Sequence, residues 1–304
     1  MPRLLTIGLR IAALCALALL LVALWMRRAD VMAIISDASP VLLLSASFLL
    51  VGAFIVDATG WALILRQLGE TRLSRRQACW IWMASSISRY LPGGLWPYAS
   101  RIAMAHNAGV KTGTTALSLV LETILLAVSA LVVSLPALLG LAGEHFSPIV
   151  AAAGIVLGLC ILHPRVLSVG SHLPGRAGRM LAEIQPVPYL KMLFLFSYYL
   201  VFWFLFGAAF TLFAHSLGIA IAPMQAASVF ALAFFLGFIA IFSPGGLGVR
   251  EGALYFLLAP HIGSAAALTL SISSRLWMMG GELASLALTA FLARQTDEKA
   301  RVAR

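Results

Sequence analysis

Apolar runs recur along almost the whole chain, at 4–26, 41–65, 114–139, 190–213, 222–242 and 276–293. A shorter run bounded by prolines lies at 148–162. Crossing about 30 Å of hydrocarbon as a helix takes about 20 mostly apolar residues, so most of these runs are long enough to span a bilayer. Composition agrees: 62% of residues are hydrophobic and 11% are charged, against roughly 25% charged in a soluble domain. With 21 Lys and Arg and 11 Asp and Glu, a 304-residue globule could not be covered in water-compatible surface. A soluble enzyme, a disordered chain and a nucleic-acid-binding domain are therefore excluded. The sequence predicts an all-α, polytopic membrane protein with seven or eight transmembrane helices, forming a single transmembrane domain over 1–304.

The net charge of +10 gathers between the apolar runs. Arg66, Arg72, Arg75 and Arg76 follow the second run; Arg165, Arg176, Arg179 and Lys191 precede the run at 190–213; Arg294, Lys299, Arg301 and Arg304 follow the last. By contrast, 141–147 and 215–223 contain no Lys or Arg. The positive-inside rule places the basic loops in the cytoplasm, with both termini there, as expected of a multi-pass protein of a bacterial inner membrane. Arg27 and Arg28 depart from this pattern, and they stand where a signal peptide would show a small-residue cleavage site, so the first run reads as an uncleaved helix. Cys15, Cys79 and Cys160 lie far apart in or beside apolar runs, and the six histidines are scattered. No disulfide framework, metal site or cofactor is expected from them.

Two stretches break the apolar pattern. The stretch 78–98 contains LPGGLWP, and 243–274 opens with SPGGLGVREG and is divided by Pro260, His261 and Gly263. Gly and Pro interrupt helices, and irregular backbone at membrane depth survives only inside protein or beside a watery cavity. Both stretches are expected to be re-entrant or discontinuous helices. Pro92-Gly93-Gly94-Leu95 recurs as Pro244-Gly245-Gly246-Leu247, an offset of 152 residues in a chain of 304. Paired breaks in two halves point to a transporter site near the bilayer middle. The halves are taken as about 41–140 and 190–293, with the helix at 4–26 peripheral. Counting crossings places both breaks on the cytoplasmic side.

Ionisable residues inside apolar or broken segments cost about 2.5–3.5 kcal/mol each at a helix centre, so each needs a partner or a function. Seven stand out: Asp57, Arg89, Glu122, Arg250, Glu251, Arg275 and Glu282. One reading is structural, with Arg89 or Arg275 pairing with Glu122 or Glu282 to hold helices in register. The other is a hydrated path along which these groups bind a substrate. In the second break Gly245, Gly246 and Gly248 would let backbone approach a ligand. A helix starting near Val249 would offer N–H groups and a positive dipole end to an anion, and Arg250 a fork of donors. The substrate-binding candidates are thus Arg89, Pro92, Gly93, Gly94, Pro244, Gly245, Gly246, Gly248, Arg250, Glu251 and Arg275. Asp57, Glu122 and Glu282 are candidates for charge balance or proton coupling. Trp80, Trp82, Trp96, Tyr98 and the aromatics of 198–206 are expected to form an interfacial belt or face lipid. No nucleophile–His motif, Mg²⁺-binding acidic pair or nucleotide loop is present, so no catalytic activity is expected.

SRYLPGGLWPYASRIAMAHNAGV, LVLET and SPGGLGVREGALYFLL together resemble the lysylphosphatidylglycerol synthase transmembrane family. The resemblance covers about 41–293. It implies a lipid-handling membrane protein with re-entrant helices, which in some members moves a phospholipid between leaflets. By match of motif it carries over Arg89, Pro92 and Gly93 of the first loop, and Pro244, Gly245, Gly246, Arg250 and Glu251 of the second. The soluble aminoacyl-transfer domain of the two-part synthases has no counterpart in this sequence, so synthesis of an aminoacyl lipid is not implied. The expected function is that of a flippase for a phospholipid or other phosphate-bearing lipid. The alternative is a membrane enzyme, subunit or scaffold acting on a polyprenyl phosphate or phospholipid. The expected partners are membrane lipids, with a second copy or a lipid-modifying enzyme as candidate protein partners and no nucleic acid.

Overall fold

The structure, a computed structural model, describes residues 28–90, 95–142, 187–240 and 246–302, with 22, 25, 26, 154–156, 158, 160, 163 and 243. Among the described residues there is helix and no strand. A short helix α1 (Arg28–Ser36) precedes the long α2 (Pro40–Gln67). Next come α3 (Arg75–Ser86), a 3-10 turn at Ile87–Tyr90, and α4 (Trp96–Asn107). Helices α5 (Thr112–Val133) and α6 (Leu135–Ala142) follow, then α7 (Tyr189–Ser216), α8 (Pro223–Ile239), α9 (Val249–Ile262) and α10 (Ser264–Val302). Helices α2, α5 and α7, and the part of α10 over Ser264–Arg294, are long and apolar enough to cross a membrane.

The runs at 41–65, 190–213 and 222–242 are thus α2, α7 and α8. The run at 114–139 is divided at Ser134, because Pro136 has no N–H with which to continue the ladder of α5. The run at 276–293 is only the second half of α10. Apolar counting had stopped at Arg275, but that side chain is paired within the protein, so the helix continues back to Ser264 and absorbs the piece beyond Gly263. The runs at 4–26 and 148–162 lie largely outside the described residues, as does Cys15. Of the other cysteines, Cys79 is buried and Cys160 exposed.

A few contacts fix how the helices run. The Ser39 N–H donates to the Ser216 carbonyl at 2.7 Å, joining the start of α2 to the end of α7, and Tyr198 Oη donates to the Val56 carbonyl at 2.9 Å. Helices α2 and α7 are therefore antiparallel. Trp277 Nε1 donates to Ser47 Oγ at 3.0 Å and Gly281 lies against Leu50 and Phe54, so α10 runs parallel to α2. The Arg72 guanidinium donates to the Gly109 carbonyl, closing the base of an α3–α4 hairpin. One end of the molecule consequently gathers Arg66, Arg72, Arg75, Arg76, Lys111, Lys191 and Arg294. The opposite end carries the loop 217–222, which has no Lys or Arg.

The two hairpins leave from opposite ends. Helices α3 and α4 rise from the basic end and return to it. Helix α8 starts at the other end, just past Ser216, and α9 returns there, because Gly263 leads straight into the start of α10. At 12, 12, 17 and 14 residues, none of these four helices reaches the length of a full crossing. The crossing count had put both breaks on the cytoplasmic side. The structure corrects this in one respect: the run at 222–242 and the break after it form a hairpin, α8 and α9, that starts and finishes at the end of the helical layer away from the basic loops, so the two breaks are approached from opposite ends.

The core is aromatic. Phe206 stacks on Phe230 at 4.4 Å and meets Phe54 edge-on at 6.1 Å, while Phe213 stacks on Trp277 at 4.4 Å. Tyr199, Phe202, Trp203 and Phe206 are buried between helices, as is Trp82. This corrects the expected lipid-facing belt, which fits Phe204 and Trp96, both about half exposed. Helices α7 and α8 cross where neither has bulk: a Cβ on Gly207 would lie 2.4 Å from the Cβ and 2.7 Å from the Cα of Ala227. Such crossings of small residues are how membrane helices gain close packing. Gly207→Ala is expected to destabilise the fold by about 1–3 kcal/mol through overpacking. Gly52→Ala, where a Cβ meets nothing within 4 Å, should leave the melting temperature in detergent unchanged or raise it slightly.

Candidate functional site

Residues that flank the two breaks meet at α10. At the second, Gly246 and Gly248 have φ of +72° and +80°, which only glycine adopts without strain, and Gly248 becomes the N-cap of α9. Glu251 turns back over that helix start: its Oε2 accepts the Gly248 N–H at 2.7 Å. Its Oε1 pairs with Arg275 Nη1 at 3.4 Å. At the first break, Arg89 Nη1 pairs with Glu282 Oε1 at 3.2 Å and Tyr90 Oη donates to Glu282 Oε2 at 2.8 Å. The Arg275 guanidinium also lies 5.4 Å from the Tyr90 ring. Arg275 and Glu282 stand two turns apart on α10, hence on one face. That face collects the tip of each hairpin. Because Gly281 touches Leu50 and Phe54 near the middle of the 28-residue α2, the meeting point lies about halfway through the helical layer.

Arg250 sits beside this junction and is 7% exposed. Its guanidinium lies over the rings of Phe230 at 4.4 Å and Phe234 at 5.6 Å, and Nη2 touches Met278 Sδ at 3.1 Å. Among the described residues it has no carboxylate partner. Gly237 makes the approach feasible, since a Cβ there would lie 3.3 Å from the Arg250 Cβ and the Gly246 backbone packs on it from the same side. The junction thus holds three arginines and two carboxylates, one positive charge in excess. A buried guanidinium resting on aromatic faces keeps its in-plane N–H groups available to an anion.

A second cluster ties the first hairpin to α5. Arg101 Nη1 pairs with Glu122 Oε2 at 2.6 Å, and the other Glu122 oxygen accepts the Trp82 indole N–H. Arg101 Nε donates to Ser85 Oγ at 3.0 Å, and its guanidinium lies 5.3 and 5.0 Å from the rings of Trp61 and Trp82. Asp57 belongs to neither cluster. It is 7% exposed, and its Oδ1 has no hydrogen-bond partner among the described residues.

Five of the seven charges singled out from sequence therefore come together: Arg89, Arg250, Glu251, Arg275 and Glu282. Of the pairings weighed, Arg89 with Glu282 is present, whereas Glu122 goes to Arg101 and Arg275 to Glu251. At the start of the helix expected to offer its N–H groups to an anion, the Gly248 N–H is bonded within the protein, to Glu251, and the Gly246 N–H before it goes to the Ser243 carbonyl. Pro92, Gly93, Gly94, Pro244 and Gly245 lie outside the described residues. Arg101, Tyr90, Phe230, Phe234 and Met278 were not singled out from sequence; Tyr90 and Arg101 stand within SRYLPGGLWPYASRIAMAHNAGV, the first motif of the family resemblance. Among the described residues no cluster of His, Cys, Asp and Glu could hold a metal ion.

Glu122→Gln would leave Arg101 buried without its counter-charge, which costs about 3–5 kcal/mol. Thermal unfolding in detergent is expected to show that loss. Adding Arg101→Gln should restore part of it, because the double variant strands no charge.

The chain spans residues 6–279 of its own length in its match to the family described as the lysylphosphatidylglycerol synthase TM region. No curated protein matches it at a significant level. With four described helices long and apolar enough to cross a membrane and a family match over most of its length, the chain is a multi-pass membrane protein that belongs to the lysylphosphatidylglycerol synthase transmembrane-region family.

Proposed function

We propose that this protein moves a phosphate-bearing lipid between the two leaflets of a bacterial inner membrane, as a flippase rather than an enzyme. The observation that carries the reading is Arg250: a buried guanidinium with no carboxylate partner among the described residues, at the point where two hairpins from opposite ends converge. Maintaining such a charge is expensive unless an anion visits it. The hairpins act as re-entrant helices, each leaving half the thickness of the layer for a polar headgroup to enter from its own side. Arg89 and Arg275, held in place by Glu282 and Glu251, extend the positive surface around Arg250. The acyl chains stay in the bilayer while the headgroup passes the junction. The basic end faces the cytoplasm.

Lipid movement is measured with leaflet-resolved reporter phospholipids in proteoliposomes. Arg250→Ala is expected to slow it about ten- to a hundred-fold, the equivalent of ~1.5–3 kcal/mol for a hydrogen bond to a charged group. Equal movement by the wild type and by a folded Arg250→Ala protein would overturn the proposal.

A further inference from the structure

Among the described residues the charges within the helical layer cancel in number, and the two left outside ion pairs differ in chemistry. Four arginines (Arg89, Arg101, Arg250 and Arg275) and four carboxylates (Asp57, Glu122, Glu251 and Glu282) lie within the helical layer. Three ion pairs, Arg89–Glu282, Arg101–Glu122 and Arg275–Glu251, use six of them. What remains is one cation, Arg250, and one acid, Asp57. Arg250 stands at the hairpin junction, while Asp57 lies on α2 within electrostatic reach of Arg89, Arg101 and Glu122, and makes no ion pair among the described residues.

We propose that Asp57 is a proton-binding site coupled to the anion site at Arg250, taking up one proton as one phosphate group binds. This inference rests on the proposed role of Arg250. With the anion site empty and Asp57 ionised, the eight charges sum to zero. When a phosphodiester arrives at Arg250, the sum becomes −1 in a low-dielectric interior, where uncompensated charge is costly. Of the four carboxylates, three already have a guanidinium against them, and protonating one of those would strand a buried arginine. Asp57 alone can accept the proton without breaking an ion pair.

Its surroundings fit that task. Tyr199 on α7 is fully buried, and its hydroxyl also has no hydrogen-bond partner among the described residues. That hydroxyl lies against Gly60, one turn along α2 from Asp57, where a Cβ would come within 2.8 Å. The other groups facing this stretch are Tyr198 on α7, whose hydroxyl donates to the Val56 carbonyl, and Cys79 on α3, which touches Thr59. Glu122 on α5 and Arg101 on α4 are bound to each other, and Glu282 on α10 is bound to Arg89. The other groups facing this stretch have partners of their own, so among the described residues there Asp57 Oδ1 and the Tyr199 hydroxyl are the polar atoms with capacity to spare.

The test uses the full chain in nanodiscs of zwitterionic lipid and a short-chain phosphatidylglycerol, whose phosphodiester does not titrate near neutral pH. Binding and proton uptake are recorded together in weakly buffered solution with a pH-sensitive dye. Over a pH series that runs alkaline enough to ionise Asp57 in the lipid-free protein, wild type is expected to take up as much as about one proton per lipid bound, so that affinity falls by up to about tenfold for each pH unit raised. Asp57→Asn, which fixes the neutral form, should bind the lipid with no uptake and no pH dependence, and Asp57→Glu should restore both. In infrared difference spectra, the carbonyl band of a protonated carboxyl should appear on lipid binding in wild type and be absent from Asp57→Asn. Lipid binding without proton uptake in wild type, or uptake that persists in Asp57→Asn, would overturn the coupling and leave the Arg250 role standing. Lipid binding equal in wild type and Arg250→Ala would overturn the Arg250 role, and the coupling with it.

Discussion

The constraint on which the structure depends is the expense of charge in a medium that cannot solvate it. A chain with so few charged residues has placed eight of them inside its helical layer, and their pairing dictates much of the architecture. Arg275 and Glu282 project from one face of α10 and capture opposite partners, Glu251 from the second hairpin and Arg89 from the first. Remove that face and the two tips have no common anchor. The ion pair of Arg101 with Glu122 performs the same service lower down the first hairpin, fastening α4 to α5. In each pair the second oxygen of the carboxylate accepts from a neighbour: Tyr90 for Glu282, the Gly248 N–H for Glu251, Trp82 for Glu122. This is the condition under which a buried ion pair holds structure together rather than straining it.

Backbone chemistry then explains why the tips are where they are. Helix α9 begins at mid-depth, so its first N–H groups need partners that lipid cannot supply. Glu251, three residues inside the helix, closes back on the Gly248 N–H and so supplies a partner for the N-cap. Glycines at 237 and 246 let two backbones touch, and that contact brings Arg250 over Phe230 and Phe234. The GLGVRE sequence is thus a connected device: glycines for the turn and the close approach, glutamate for the cap, and a buried arginine at the junction.

Much of this was legible before any coordinates. Asp57 and Glu122 interrupt long apolar runs, so their importance showed directly, and the duplicated PGGL marked both hairpins. What stayed hidden has physical reasons. Arg101 lies in a 12-residue helix whose polar face is turned inward against Ser85, Ser86 and Glu122, and an inward polar face has the same sequence pattern as a surface loop. Arg275 looked like a boundary because apolarity was counted along the chain; in space its charge is cancelled by Glu251, which lies in another helix. The aromatics of α7 suit a lipid-facing belt equally well by composition, and only packing against Phe54 and Phe230 distinguishes the two. The direction of the hairpins depended on a single assignment, whether 264–274 belongs with the break or with the last helix.

That assignment has the widest consequence. Had both hairpins entered from the basic end, their tips would define a pocket open to one leaflet only, and a headgroup bound there would have to cross half a bilayer of unbroken helices. Entered from opposite ends, each hairpin replaces half of the layer by a shorter pair of helices, and the two halves share Arg275 and Glu282 as their common floor. Because α10 runs the whole depth parallel to α2, it can stay fixed while either tip shifts. Each hairpin is joined to it by an ion pair, Arg89–Glu282 for the first and Arg275–Glu251 for the second, with the Tyr90 hydroxyl on Glu282 and Arg250 on Met278 beside them. An anion approaching either tip competes with Glu282 or Glu251 for the same guanidinium. Charge pairing at one face of α10 is therefore what the two hairpins share.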